Sequence, residues 1–138
     1  MAETNTDWKD KCLYVMAEVE NIKKQSKQQS LRDVKAAEEK LLMPLLEIVD
    51  NFKRADHNEN LSKGVVLVYF QILNLLEKYN TIEFVSLNKP FDPNIHEAIE
   101  TRSVADCKHN MVVEVIQTGY IKDGKLFRPA KVAVSKNP

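Results

Sequence analysis

The sequence predicts an α+β protein: a long paired N-terminal helix, a dimeric four-helix bundle, and a small C-terminal β domain. Three observations carry this. About fifty residues from Asp7 to Asp56 contain no glycine and one proline, Pro44. A second, strongly apolar helical pattern ends near Tyr79, and from Thr81 onward the hydrophobic period shortens to that of strands. The expected boundaries are 1–57 for the long dimerisation helix, 58–80 for the second bundle helix, and 81–138 for the β domain.

The first segment exceeds the usual 8–20 residues of a globular helix. At ~1.5 Å per residue it would extend roughly 75 Å, so its apolar stripe needs a partner outside its own fold. Thr6 or Asp7 is the expected N-cap. Trp8, Cys12, Val15, Val19 and Ile22 form a narrow seam, which fails as a heptad at Ser26, Gln29 and Asp33. An eleven-residue period bridges the gap through Trp8, Val19, Ser30, Leu41 and Phe52, the pattern of a nearly straight pair of helices. From Leu41 the stripe widens through Leu45, Ile48 and Phe52, as for entry into a bundle. Pro44 predicts a kink or local break, and Asp56-His57-Asn58 a turn.

The second helix is expected to be capped near Asn60 or Ser62. It carries Val65, Tyr69, Ile72, Leu73 and Leu76 among residues apolar nearly all round, so more than one side is buried. A second copy of the chain is the expected cover. The predicted dimer interface is therefore Trp8, Val15, Val19, Ile22, Leu41, Leu45, Ile48, Phe52, Val65, Tyr69, Ile72, Leu73 and Leu76. Asn80 stands where a left-handed C-terminal cap belongs.

Strands are expected at Ile82–Val85, Met111–Ile116 and Lys131–Val134, with an Asp123-Gly124 hairpin between Tyr120-Ile121 and Leu126-Phe127. The cluster from Pro90 to Ile99 reads as a rigid linker packed on the β domain or as a protein-docking loop, with Asp92 or Asn94 capping a short turn.

Composition excludes several functions. Lys+Arg and Asp+Glu are 20 each, giving net charge zero, which disfavours nucleic-acid binding. No apolar run reaches 18 residues, so no membrane span is expected. The N-terminus lacks signal-peptide character, and the two cysteines, Cys12 and Cys107, show no CxxC spacing, as in a reducing compartment. The cytoplasm is the expected location, with a mitochondrial or plastid matrix as the alternative. His96-Glu97 lacks the second histidine of HExxH, and Cys107 with His109 lacks further ligands for zinc. With three glycines no phosphate-cradling motif occurs. No enzyme activity, cofactor or metal is expected. Lys23, Lys24, Lys27, Arg32 and Lys35 make a basic face on the polar middle of the long helix, which periodicity alone reads as solvated.

Four motifs in order resemble the GrpE family, nucleotide exchange factors of DnaK-type heat-shock chaperones. They are Ala17–Lys24, Leu41–Asn51, Phe91–Ile99, and Val115–Tyr120 continued by Asp123–Lys125 and Arg128–Val132. The resemblance implies a homodimer that binds the ATPase domain of one such chaperone, opens its nucleotide cleft and speeds ADP release, with a functional link to a J-domain co-chaperone. It assigns chaperone contacts to Lys23, Lys24 and Arg32 on the helix, and to Phe91, Ile116, Lys125 and Val134 in the β domain. Arg128, Pro129 and Ala130 would shape that domain. Lysine stands at Lys23, Lys24 and Lys125 where the family often has arginine, whose planar fork lysine does not match. Gln25 interrupts the basic run, Asn80 replaces a common glycine, and the family's acidic N-terminal tail is almost absent. A coiled-coil dimeric adaptor without exchange activity is the alternative.

Overall fold

The computed structural model describes residues 2–58 and 62–136. The chain divides into two compact units, Met1–Pro44 and Leu45–Pro138. Helix α1 (Ala2–Asn58) supplies all of the described first unit and continues into the second. Thr6 and Asp7 therefore lie inside the helix and are not its caps. Asp7 instead pairs with Lys11 one turn on, at 3.2 Å. The expected turn at Asp56–Asn58 is also still helical.

The helix runs through Pro44 without a break. Proline deprives the Lys40 carbonyl of its partner, and both residues are exposed, so water can take the place of the missing donor. In the first unit Trp8, Leu13, Val15, Val19, Ile22 and Leu41 are all exposed on the isolated chain. Only Leu42 is buried there among the described residues.

In the second unit Leu46 and Val49 are fully buried, one turn apart on α1. Helix α2 (Lys63–Lys78) starts at Ser62, whose hydroxyl accepts from the Val65 amide at 3.4 Å, long for such a cap. Asn60 lies outside the described residues. Phe52 of α1 meets Tyr69 of α2 with ring centroids 5.9 Å apart. The helix ends as expected: Asn80 adopts φ 55° and its amide donates to Glu77 at 2.9 Å.

Six strands follow: β1 (Thr81–Glu83), β2 (His96–Arg102), β3 (Val112–Gln117), β4 (Tyr120–Lys122), β5 (Lys125–Arg128) and β6 (Ala130–Ser135). They form two three-stranded sheets, ordered β1-β4-β5 and β2-β6-β3. In the second sheet β6 is central, parallel to β2 and antiparallel to β3. Pro129 alone separates β5 from β6, so the chain changes sheets at a residue that has no amide to donate. Asp123 (φ 51°) and Gly124 (φ 77°) make the expected two-residue hairpin between β4 and β5. Asn80, Asn88, Asp106 and Asn110 take the remaining left-handed positions, which suits a chain with three glycines.

Strand β2 departs from the sequence expectation, which placed a linker or docking loop over part of it. Its side chains after His96 are exposed or half-buried, so no apolar alternation marks it, and its partners in β6 lie 33 or 34 residues on. The core consists of Val112, Ala130, Val132 and Val134, with Phe84, Phe91 and Val115 packed against it.

Gly119 sits where β3 turns into β4, and a Cβ there would come within 2.2 Å of the Phe84 ring and 2.8 Å of the Ala130 backbone nitrogen. Forced repacking of this kind typically costs 1–3 kcal/mol. Gly119→Ala is expected to lose about 2 kcal/mol of stability in urea denaturation. An unchanged midpoint would show that the sheet junction yields at no cost.

Candidate functional site

The β domain is tied to α1 by charge. Arg128 at the end of β5 donates from Nη1 and Nη2 to the two carboxylate oxygens of Asp50, at 2.8 and 3.0 Å. The same guanidinium reaches the Thr118 carbonyl from Nε at 3.1 Å and from Nη2 at 2.6 Å. Its face lies 5.1 Å from the centroid of Tyr120. The two side chains are 8% and 15% exposed, so the attraction is little screened. Lys53, one turn after Asp50, donates to Glu83 at 2.8 Å and to the Thr118 hydroxyl at 2.9 Å. Two neighbouring positions on one helix face thus hold the β1 strand and the β3–β4 turn.

This tie frames a cleft of about 540 Å³ between α1 and the sheets. Asp50, Lys53 and Arg54 form its helical wall, and Ile99, Ile116 and Lys131 line the β side. Of the expected chaperone contacts only Ile116 lies here, and it is exposed. Lys125 is exposed at the start of β5. Lys23, Lys24 and Arg32 are exposed on α1 in the first unit. Phe91 is half-buried against the core, 5.9 Å from the His96 ring.

Val134 departs from the expectation. It is 6% exposed and belongs to the core cluster with Phe91, so it shapes the sheet and offers no surface to a partner. The expected dimer contact Leu76 is corrected likewise. At 1% exposure it is already covered by its own chain. Leu73 is half-buried; Trp8, Val15, Val19, Ile22, Leu41, Ile48 and Val65 are exposed; Leu45, Phe52, Tyr69 and Ile72 are intermediate. The cleft residues Lys53, Arg54 and Lys131 were not anticipated. Helix and strand meet there across more than sixty residues of chain, and the only local hint is the basic pair after Phe52.

Within the Pro90–Ile99 segment, Asp92–Ile95 form a tight turn that leads into β2. The Asp92 carboxylate accepts from the Asn94 amide at 2.9 Å, so Asp92 is the capping residue. His96 is 5% exposed, accepts the Asp92 amide on Nδ1 at 3.0 Å, and places Nε2 3.1 Å from the Ser86 hydroxyl. With Nδ1 an acceptor, the neutral ring carries its proton on Nε2 and donates to Ser86. Burial pushes the His96 pKa below its ordinary value, opposed by the Asp92 charge. Among the described residues no three His, Cys, Asp or Glu side chains are grouped to hold a metal ion, and no helix is long and apolar enough to cross a membrane.

Two outcomes follow from these groups. Arg128→Met leaves Asp50 without its partner and is expected to cost about 3 kcal/mol in urea denaturation. A loss under about 1 kcal/mol would mean that the pair behaves as an exposed surface bridge. For His96 the folded pKa lies below the unfolded one, so the unfolded state binds the proton more readily. Stability should hold above the unfolded value near 6.5 and fall as the pH drops below it. His96→Gln should lack that acid-side component, and an identical pH profile would contradict the buried neutral assignment.

A family model described as GrpE matches residues 1–136. The chain is 37% identical over 141 residues to Protein GrpE of Brachyspira hyodysenteriae, covering 96% of this chain and 70% of that protein. It is 31% identical over 145 residues to Protein GrpE of Bdellovibrio bacteriovorus, covering 100% of this chain and 84% of that protein. Protein GrpE of Alkaliphilus oremlandii is 39% identical over 107 residues, 72% of this chain and 57% of that protein. Motif order, helix–helix–sheet architecture and end-to-end similarity agree: the chain belongs to the GrpE family.

Proposed function

We propose that this protein is a nucleotide exchange factor for a DnaK-type chaperone, working as a homodimer in the cytoplasm alongside a J-domain co-chaperone. Family membership across residues 1–136 is the observation that carries this reading. The dimer binds the chaperone's ATPase domain and favours its open nucleotide cleft. ADP leaves, ATP rebinds, and the client protein is released. No bond is made or broken by the exchange factor, so no catalytic residue is required. It acts by binding the open form more tightly than the closed one, and the equilibrium shifts by that difference. A preference of about 2.8 kcal/mol shifts the ratio roughly a hundredfold, a small share of what a protein interface supplies.

Three groups of residues are assigned to this work. Lys23, Lys24 and Arg32 present exposed cations to acidic groups of the chaperone. Ile116 and Lys125 are the exposed contacts of the β domain, and half-buried Phe91 packs on its core beside the Asp92 turn. The exposed seam of Trp8, Val15, Val19, Ile22 and Leu41, with Ile48 and Val65 further on, is the surface that a second copy covers. The domain roles follow: 1–57 and 58–80 dimerise, and 81–138 docks the chaperone.

The direct test follows release of a fluorescent ADP from a DnaK-type chaperone with and without the protein. Acceleration of at least tenfold is expected at saturation, and no acceleration by an intact dimer would leave the adaptor reading in its place. Lys125→Glu should reduce the acceleration by about tenfold, a cost of ~1.4 kcal/mol, with folding unchanged by circular dichroism. Leu41→Asp should dissociate the dimer in sedimentation; a variant that stays dimeric would refute the seam.

A further inference from the structure

The cleft between α1 and the sheets carries an imbalance of hydrogen-bond donors over acceptors. Its lining holds three cations, Lys53, Arg54 and Lys131, against one carboxylate, Asp50. The side-chain acceptors are already engaged. Both Asp50 oxygens and the Gln117 amide oxygen accept from Arg128, and the Thr118 hydroxyl accepts from Lys53. The donors are not used up. Of its three protons the Lys53 ammonium directs two to partners, Glu83 and Thr118. The side chains of Arg54 and Lys131 make no hydrogen bond or ion pair among the described residues.

Lys131 is half-buried on the central strand β6, between Gln117 of β3 and Glu97 of β2, and the exposed Glu97 does not pair with it. A partly buried cation with no counter-charge gives up hydration that nothing in the chain replaces. The apolar wall is uncovered too, with Ile99 49% and Ile116 45% exposed. The volume of about 540 Å³ lies within the ~300–1,000 Å³ usual for a built site. At ~100° per residue Arg54 stands at least roughly 120° around α1 from Leu45, Ile48 and Phe52, off the face assigned to a second copy.

We propose that this cleft receives an aspartate or glutamate side chain of the chaperone, flanked by an aliphatic residue that packs on Ile99 and Ile116. The inference rests on reading Ile116 as a chaperone contact, and it adds the chemistry that the partner brings to that contact. The carboxylate accepts from Arg54, Lys131 and the remaining Lys53 proton, through charge-assisted bonds roughly twice as strong as neutral ones. A basic or wholly aliphatic segment would leave those donors unpaired, so the cleft selects an acidic one.

The test has two arms. In the first, the full-length, nitrogen-15-labelled protein is titrated with the capped tripeptides Leu-Glu-Leu and Leu-Gln-Leu and with inorganic phosphate. Saturable amide shifts at Ile116, Thr118 and Lys131 are expected with Leu-Glu-Leu, and binding at least about fivefold weaker with Leu-Gln-Leu. Equal binding of the two peptides, or no saturable shift, would overturn the proposal. So would phosphate that binds as tightly as Leu-Glu-Leu, since the aliphatic wall would then contribute nothing. In the second arm, calorimetry measures binding to the nucleotide-free ATPase domain of a DnaK-type chaperone. Arg54→Met and Lys131→Met should each weaken binding by about tenfold, while Lys136→Met, which removes an exposed cation outside the cleft, should not. Wild-type affinity in both cleft variants would overturn the cleft and leave the exchange reading standing. A wild-type protein that does not bind the chaperone would overturn the exchange reading, and with it the chaperone as occupant.

Discussion

The ion pair between Asp50 and Arg128 is the constraint on which the arrangement of the second unit, Leu45–Pro138, depends. It spans seventy-eight residues of sequence and lies under the junction of helix and sheet, with both side chains largely withdrawn from water. Arg128 also satisfies the Thr118 carbonyl, so one guanidinium orders the turn that starts β4 while holding it to α1. The Gln117 amide oxygen, oriented by its hydrogen bonds, accepts from the same group at 3.0 and 3.1 Å. A buried pair of this kind is costly to break because the remaining charge is left in a poor solvent. Net stability is the lesser consequence. The pair fixes where the β domain sits on the second half of α1, and with it where Ile116 stands beside Lys53 and Arg54.

Gly119 and Pro129 serve the same junction from the backbone. Gly119 lets the β3–β4 turn approach Phe84 closely, and Pro129 carries the chain from one sheet to the other without an unpaired amide. His96, neutral and held on both nitrogens, fixes the Asp92 turn. The β domain is small, so such fixed polar contacts hold it together alongside its apolar cluster. On the proposed exchange function, the β domain must not follow the chaperone's motion, because a domain that did would hold both forms alike.

The local features were legible in the sequence because their causes are local. Ser62, Asn80 and Asp123-Gly124 each specify a cap or a turn through their own backbone geometry, and all three stand where they were expected. Strand β2 was not legible, since His96–Arg102 has a mostly exposed face and becomes a strand only through β6. Val134 and Leu76 read as contact residues from motif position and periodicity, which register neither the depth of a sheet nor which side of a helix its own chain already covers. The cleft around Ile116 required knowing that Lys53 and Thr118 meet. Asp50 stood within a motif, but nothing near it in the sequence named Arg128 as its partner.

On the proposed function, the helix-to-sheet tie holds the β domain as the grip on a DnaK-type chaperone. It is tested most directly by the rate of ADP release from the chaperone in the presence of the Asp50→Asn/Arg128→Met double variant, which removes both charges and leaves Ile116 and Lys125 in place. The double variant is expected to fold, and its acceleration of ADP release to fall at least about tenfold at equal concentration. Wild-type acceleration by that variant would show that the grip does not depend on the tie.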